Sequence, residues 1–568
     1  MTAAEPGPQV ALDRAGEALR QGLGTDEGLE SAIEVCRAAI GILPDPMPAR
    51  LMLARMLAAA GRMDEAVTAW LETLSANGLL GEAWSGLSQS LMVVGDAARA
   101  LEAADAAIRI DAGSADGWHA RGQALLGLHQ PKAALDAFTR GAALAPDQPR
   151  MPLGQGDAAA ELDQERDALA HFARAAALDP RSKWAQAHLG AMLYRFGDLK
   201  GAERHCLAAL AFDPTLAGPH RNLAGLYAEQ GDQARARHHM EQAFAGRNVV
   251  VEAGPADAPR VLALTNAGSG NTPFKYLLPR SGFTRIDWFI AFADADQAAR
   301  LPPYDVVFNL VGDADYAGPT EAASAAFLLT CDRAVLNPPA RVAATRRDRL
   351  PDLLHDVEGA WTPRTVRMPP PVPGVDPAAW LTGKGLACPV LIRPIGSHGG
   401  AGLTLARTSQ DVAALGLRGE AYATEFVDFR LPADGLYRKY RVIFVDRTPL
   451  PYHLAIKNDW LVHYATAEMT GDAPRQAEER RFLDDPIGAL GAPAWRALEA
   501  IGARLDLDYA GIDFSLMPDG RVLVFEANAT MLVHPEPDGP FAYKNPHLER
   551  ITHAFRAMVE RRIAGGGA

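Results

Sequence analysis

Alanine returns in a fixed register through the first half of this chain, at Ala32, Ala66, Ala100, Ala134, Ala168, Ala202 and Ala236, always 34 residues after the last. Glycine keeps that register at Gly61, Gly95, Gly197 and Gly231, and proline keeps it at Pro44, Pro146, Pro180 and Pro214. Three residue types locked to one period require a stacked repeat rather than one compact core. Within a unit, "AWSGLSQSLMVVGDAARALEAADAAIRID" carries apolar residues at helical spacing on both sides of Gly95-Asp96. The unit therefore reads as a helix hairpin, repeated about seven times. Gly95 closes the first helix in a left-handed conformation and Asp96 caps the second. The recurring alanine sits where two helices approach closely. The prolines stop second helices, since they lack an N–H and fix φ.

A period of 34 residues with these positions resembles the tetratricopeptide repeat family over about residues 10–248. Two turns depart from the pattern: His129-Gln130-Pro131, and "ELDQERDA" in the fourth unit. The resemblance implies a concave surface that binds a peptide or protein segment. A purely structural stack or a dimerisation element is the alternative. His171, Trp184, His188, Tyr194 and His220 are given no role.

The chain has 568 residues, too many for a single core, and ordinary globular composition with 48% hydrophobic and 22% charged residues. Its net charge of −13 argues against a nucleic-acid partner, which requires a basic surface. Four scattered cysteines, without a CxxC pair, argue against a disulfide framework or a thiolate zinc site. The start, "MTAAEPGPQV", lacks signal-peptide character, and no stretch approaches the roughly 20 apolar residues of a membrane span. The expectation is a cytoplasmic protein without membrane partners.

The repeat pattern occupies residues 1–248. Residues 249–259, around "AGPADAPR", read as a linker. From there the period becomes strand-like. "RVLALTNAGSG" and "DVVFNLVGDADYAG" read as buried strands ending in turns, with helical stretches between and after them, which predicts a small parallel α/β layer over 260–350. "NAGSGN" lacks dinucleotide-fingerprint spacing and reads as turn glycines.

"PVLIRPIGSHGGAGLTLAR" reads as a strand, a loop rich in glycine, then a second strand. Gly396, Gly399, Gly400 and Gly402, with Ser397, leave backbone N–H groups open to a phosphate, and Arg393 adds a fixed charge. A hairpin tip with an exposed arginine is the plainer reading. Farther on, "DYAGIDFSLMPDGRVLVFEANAT" is two strands around Pro518-Asp519-Gly520. A tight hairpin sets Asp513 opposite Val524, and a looser one sets it opposite Glu526. Either way Asp513, Glu526 and Asn528 share a face. Carboxylates so close repel unless a cation or proton separates them, and an all-oxygen set suits Mg²⁺. The plainer reading is a solvated hairpin face.

Read in order, "RDRL" (347–350), the Arg393 strand with its glycine loop, "ATEFVDF" (423–429), "YRVIFV" (440–445) and the Asp513/Glu526/Asn528 set resemble the ATP-grasp superfamily, chiefly its glutathione-synthetase-like and peptide-modifying ligase branches. That resemblance covers roughly 260–563. It implies an α+β ATP-grasp fold over 351–563, preceded by the small α/β domain, with 564–568 a flexible tail. It also implies ATP and two Mg²⁺ ions (or Mn²⁺) as cofactors. By it, Arg349 and Arg393 contact phosphates, Glu425, Phe426 and Val427 form the hinge that meets adenine, and Arg441 and Lys457 hold the reacting carboxylate or phosphate. Asp513, Glu526 and Asn528 would be the metal ligands. The reaction implied joins a carboxylate to an amine, or a related nucleophile, through an acyl phosphate. An ATP-binding interaction protein without ligation, and a small-molecule ligase whose repeats only mediate assembly, are the rivals. His534, Tyr543 and Lys544 read either as an acceptor pocket or as capping residues.

Overall fold

A computed structural model of the chain describes Val10, Asp13 and residues 26–370, 375–397, 400, 402–417, 419–467, 469–537 and 539–565. It divides into two compact units, residues 1–243 and 244–568.

The first unit contains thirteen helices among the described residues, from α1 (Asp26–Ile42) to α13 (Gln233–Phe244), with the first twelve packed in succession, each on its neighbour. Ala100, Ala134 and Ala168 have no exposed surface, and Ala202 only 1%, so the periodic alanine marks the closest helix contact. The turns share one backbone solution. Gly61, Gly95, Gly197 and Gly231 all have φ between 73° and 92°. The two off-pattern turns adopt it as well: His129 has φ 56° and Asp163 φ 58°, in the same 34-residue register. Asp96 caps its helix by accepting from the Arg99 N–H at 3.1 Å.

The second unit holds three sheets. In the first, β2 (Arg260–Thr265), β3 (Thr284–Phe289), β4 (Val306–Asn309) and β5 (Val335–Leu336) run parallel, as expected. The predicted linker is not all loop. Its start forms β1 (Val249–Glu252), which pairs antiparallel with β3 and covers that edge. Backbone ladder bonds available on an open edge outweigh the loop-like composition that follows. "NAGSGN" is a closed turn, with the Asn266 N–H donating to Asn271 Oδ1 and the Asn271 amide donating back to the Asn266 carbonyl.

A four-stranded antiparallel sheet orders as β7 (Thr365–Met368), β10 (Ala421–Glu425), β8 (Val390–Pro394) and β9 (Thr404–Ala406). The glycine loop joins β8 to β9, so a strand does follow it. The third sheet orders as β12 (Thr448–Lys457), β11 (Tyr437–Val445), β13 (Tyr509–Leu516), β14 (Val522–Asn528) and β6 (Ala360–Trp361). The boundary expected at 350 does not separate two cores. Val261, Phe308 and Leu310 of the α/β layer pack in one cluster with Ile443, Tyr509, Ile551 and Phe555, because the last helix (Asn545–Ala564) fills the space between the two sheets.

Candidate functional site

A cleft with about 200 Å³ of open space lies between the four-stranded sheet and the large sheet of the second unit. Its floor is set by strand register. Asp513 pairs directly with Glu526, the looser of the two hairpin registers, with a bulge between Asp513 and Phe514. On the other side Asp513 pairs with Arg441. Lys439 lies two residues from Arg441 on β11, so both side chains leave the same face.

Each carboxylate is held by two cations. Arg441 donates twice to Asp513, at 2.6 and 3.0 Å, and Lys439 Nζ stands 3.1 Å away. Glu526 accepts from Arg347, and Arg393 Nη1 lies at 3.8 Å. Burial on its own pushes both carboxyls up; Arg441 and Lys439 overcome it and hold Asp513 well below the usual carboxylate range. Arg347 and Arg393 do the same for Glu526. Four cations against Asp513, Glu526 and the Asp313 charge that also acts on Arg347 and Arg393 leave this end of the cleft net positive. Beside Arg441, His453 is 3% exposed, and burial together with that guanidinium keeps its imidazole neutral.

Tyr422, Thr424, Glu425 and His463 add polar groups to the lining, and the remainder is apolar. Leu391, Phe426, Phe429, Trp460, Val462 and Phe525 contribute to it. Phe429 lies 4.8 Å from Phe525, and Phe426 5.9 Å from Trp460, ring centre to ring centre. One cleft therefore joins an apolar wall to a cationic floor.

The expected site residues distribute as follows. Arg393, Gly400, Glu425, Phe426, Val427, Arg441, Asp513 and Glu526 all line the cleft. Arg393 is turned into the loop beneath it, donating to the Ser397 carbonyl at 2.6 and 3.0 Å. Gly396 and Gly402 have φ 78° and 68°, which suits glycine, and Gly399 lies outside the described residues. Arg349 is not in the cleft. It occupies the N-cap position of a short helix (Leu350–Leu354), exposed and without a side-chain capping bond, while Arg347 two residues earlier turns inward to Glu526. Lys457 is also outside the lining, its Nζ donating to the Leu461 carbonyl at 3.4 Å. Asn528 pairs with Gly511, and its amide oxygen accepts from the Thr530 N–H and hydroxyl, both at 2.9 Å. Among the described residues no three His, Cys, Asp or Glu side chains form a group able to hold a metal. The donor set for an ion is thus the Asp513–Glu526 pair, which fits a hard divalent cation only if a ligand supplies the remaining oxygens.

Arg347, Lys439, Phe429, Trp460 and Phe525 went unassigned in the sequence, whereas Phe426 of the same wall was expected at the hinge. Lys439 was recoverable from its i, i+2 relation to Arg441. Nothing local marks the wall, since Phe429, Trp460 and Phe525 come from separate segments. Lys544 is a packing residue, 5% exposed and bonded to Glu536 and the Tyr464 hydroxyl.

Residues 12–78, 51–116 and 153–217 match the Tetratricopeptide repeat family. The N-terminal unit is a tetratricopeptide repeat array. The common turn register sets its 34-residue period. No curated protein matches the chain. Among solved structures it is similar to YrrB, a TPR protein "with an unusual peptide-binding site", at 22% identity over 31% of this chain and 90% of that one, TM-score 0.26. It is similar also to TTC0263, a thermophilic TPR protein of Thermus thermophilus, at 21% over 32% and 99%, TM-score 0.30. A third similarity is to a chain of the APC/C hetero-tetramer Cut9-Hcn1, at 18% over 41% of this chain, TM-score 0.37. The chain spans 45% of that relative's length. No described helix is long and apolar enough to cross a membrane.

Proposed function

We propose that residues 244–568 are an ATP-grasp ligase that uses ATP and Mg²⁺ to join a carboxylate to an amine, and that the tetratricopeptide array engages the peptide or protein substrate. The observation that carries this reading is the two-ended cleft: an apolar, aromatic wall of the kind a purine ring fills, and a floor where Arg347, Arg393, Lys439 and Arg441 outnumber Asp513 and Glu526. A triphosphate supplies the anionic charge such a floor attracts, and oxygens that would complete the shell of an ion held by the two carboxylates. Mg²⁺ would screen the phosphate charge during in-line transfer. The substrate carboxylate attacks the γ-phosphorus, ADP leaves, and the amine then displaces phosphate from the acyl group. Arg441 and Lys439 are the nearest cations to orient that carboxylate once phosphates and metal relieve them of Asp513.

Calorimetric titration of the full chain with ATP, with and without Mg²⁺, tests the nucleotide reading. Affinity that strengthens with the metal is expected. Absence of any ATP binding would sink it. ADP release on adding an amine and a carboxylate substrate separates a ligase from an ATP-binding switch.

A further inference from the structure

The repeat array carries its own cavity, of about 670 Å³, across three first helices of consecutive units: α4 (Gly81–Val94), α6 (Ala115–Gly127) and α8 (Arg150–Glu161). Gln89, Gln123 and Asp157 line it from one repeat position, each 34 residues after the last. Val93, Gly127 and Glu161 line it from another. At both positions the last of these three units, the fourth of the array, replaces a neutral residue with an acid. The two acids lie one turn apart on α8, on the same face.

Among the described residues neither carboxylate has an Arg or Lys charge partner. His188 Nδ1 stands 3.8 Å from Asp157, and burial lowers the pKa of that imidazole, so at neutral pH it brings no charge. Burial and the charge of Glu161 push the Asp157 carboxyl up, the sign of an anion short of a cation. Arg150 also lines the cavity; its Nη2 is bonded to Asp116, which balances its charge, while its buried Nε has no hydrogen-bond partner. A second feature points to a missing ligand. His119 lines the same cavity, is nine-tenths buried, and its Nδ1 has no hydrogen-bond partner. Buried polar atoms of this kind are rare unless something bound completes them. Around these groups Met92, Leu126, Phe138 and Leu153 supply apolar surface.

We propose that this cavity takes the cationic side chain, lysine or arginine, of a peptide segment lying across α4, α6 and α8. The ammonium or guanidinium sits against Asp157 and Glu161, and its aliphatic stem lies on the apolar surface, the arrangement long basic side chains favour. An acidic segment meets uncompensated carboxylates and is rejected. The proposal rests on the array engaging a peptide, and names which kind.

The test is binding of the full chain to a synthetic array of random dodecapeptides, repeated with the D157N/E161Q double variant. Binders several-fold enriched in lysine and arginine are expected. The best of them should lose at least tenfold in affinity both in the variant and when its lysine is acetylated. Asp157→Asn retains size and removes a charge the cavity disfavours, so an unchanged helical melting curve confirms that the variant is folded. Binders without basic enrichment, or basic binders indifferent to D157N/E161Q, overturn the proposal and leave peptide engagement standing. No binders at all overturns both.

Discussion

Glu526 is held in place by the charges around it, which reverses what its sequence context suggests for stability. Two adjacent carboxylates read as a repulsive pair, so neutralising one should stabilise the empty protein. In the structure Arg347 and Arg393 compensate Glu526, and Glu526→Gln leaves the half-buried Arg347 without the carboxylate it is bonded to. Breaking such a pair costs roughly 3 kcal/mol. The melting temperature of E526Q without nucleotide is therefore expected to fall, and Mg²⁺-dependent ATP affinity to collapse, both measurable by thermal scanning; an unchanged melting temperature would refute the compensation. His453 gives the matching pH dependence. Its pKa is depressed by burial and by Arg441, and its Nδ1 has no partner, so the folded chain refuses a proton that the unfolded chain accepts below about pH 6.5. Stability from this group is complete above that pH and declines as pH falls. Asp513 and Glu526, whose pKa values are also lowered, withdraw theirs only below about pH 4. Melting temperatures between pH 7.5 and 5.5 should thus drop less in His453→Gln than in wild type.

The helix hairpin and the strand hairpin differ in how much of their geometry is local. In the repeats, one left-handed residue closes each first helix, and the position demands that backbone whatever residue fills it. His129 and Asp163 meet the demand at a steric cost that glycine avoids. Both are exposed, so little side-chain packing is lost on replacement. His129→Gly and Asp163→Gly are each expected to stabilise the array by roughly 0.5–1 kcal/mol, the left-handed strain less glycine's extra backbone entropy. Chemical denaturation checks this, and a destabilised variant would show that the side chains carry something the turn does not. In the β13–β14 hairpin, by contrast, turn residues left two registers open. The bulge after Asp513, fixed by pairing with β11 on one side and β14 on the other, selected the one that joins Asp513 to Glu526.

The molecule as a whole is two units with separate cores. The repeat clusters draw on residues below 244, and those of the α/β unit on residues above it. Calorimetry should resolve two unfolding transitions. ATP with Mg²⁺ should raise only the one belonging to 244–568, by about 2.7 kcal/mol of stability at a hundredfold excess over Kd. A shift of both transitions together would mean that the units unfold as one.

The sequence by itself determined the repeat, its period and its close helix contacts, because each unit's turn, cap and small residue lie within one 34-residue stretch and interact mainly with their neighbours. It also placed Asp513 and Glu526, whose spacing across one strand hairpin is local, and Arg393 beside its glycine loop, whereas Arg441 was named only through the resemblance to the ATP-grasp superfamily. Tertiary structure alone decided which arginine of the 346–349 segment faces the cleft, that β1 closes the sheet edge, and that Phe429, Trp460 and Phe525 build one wall. Those outcomes depend on contacts between segments tens of residues apart, where no periodicity carries information and only packing in three dimensions selects the neighbour.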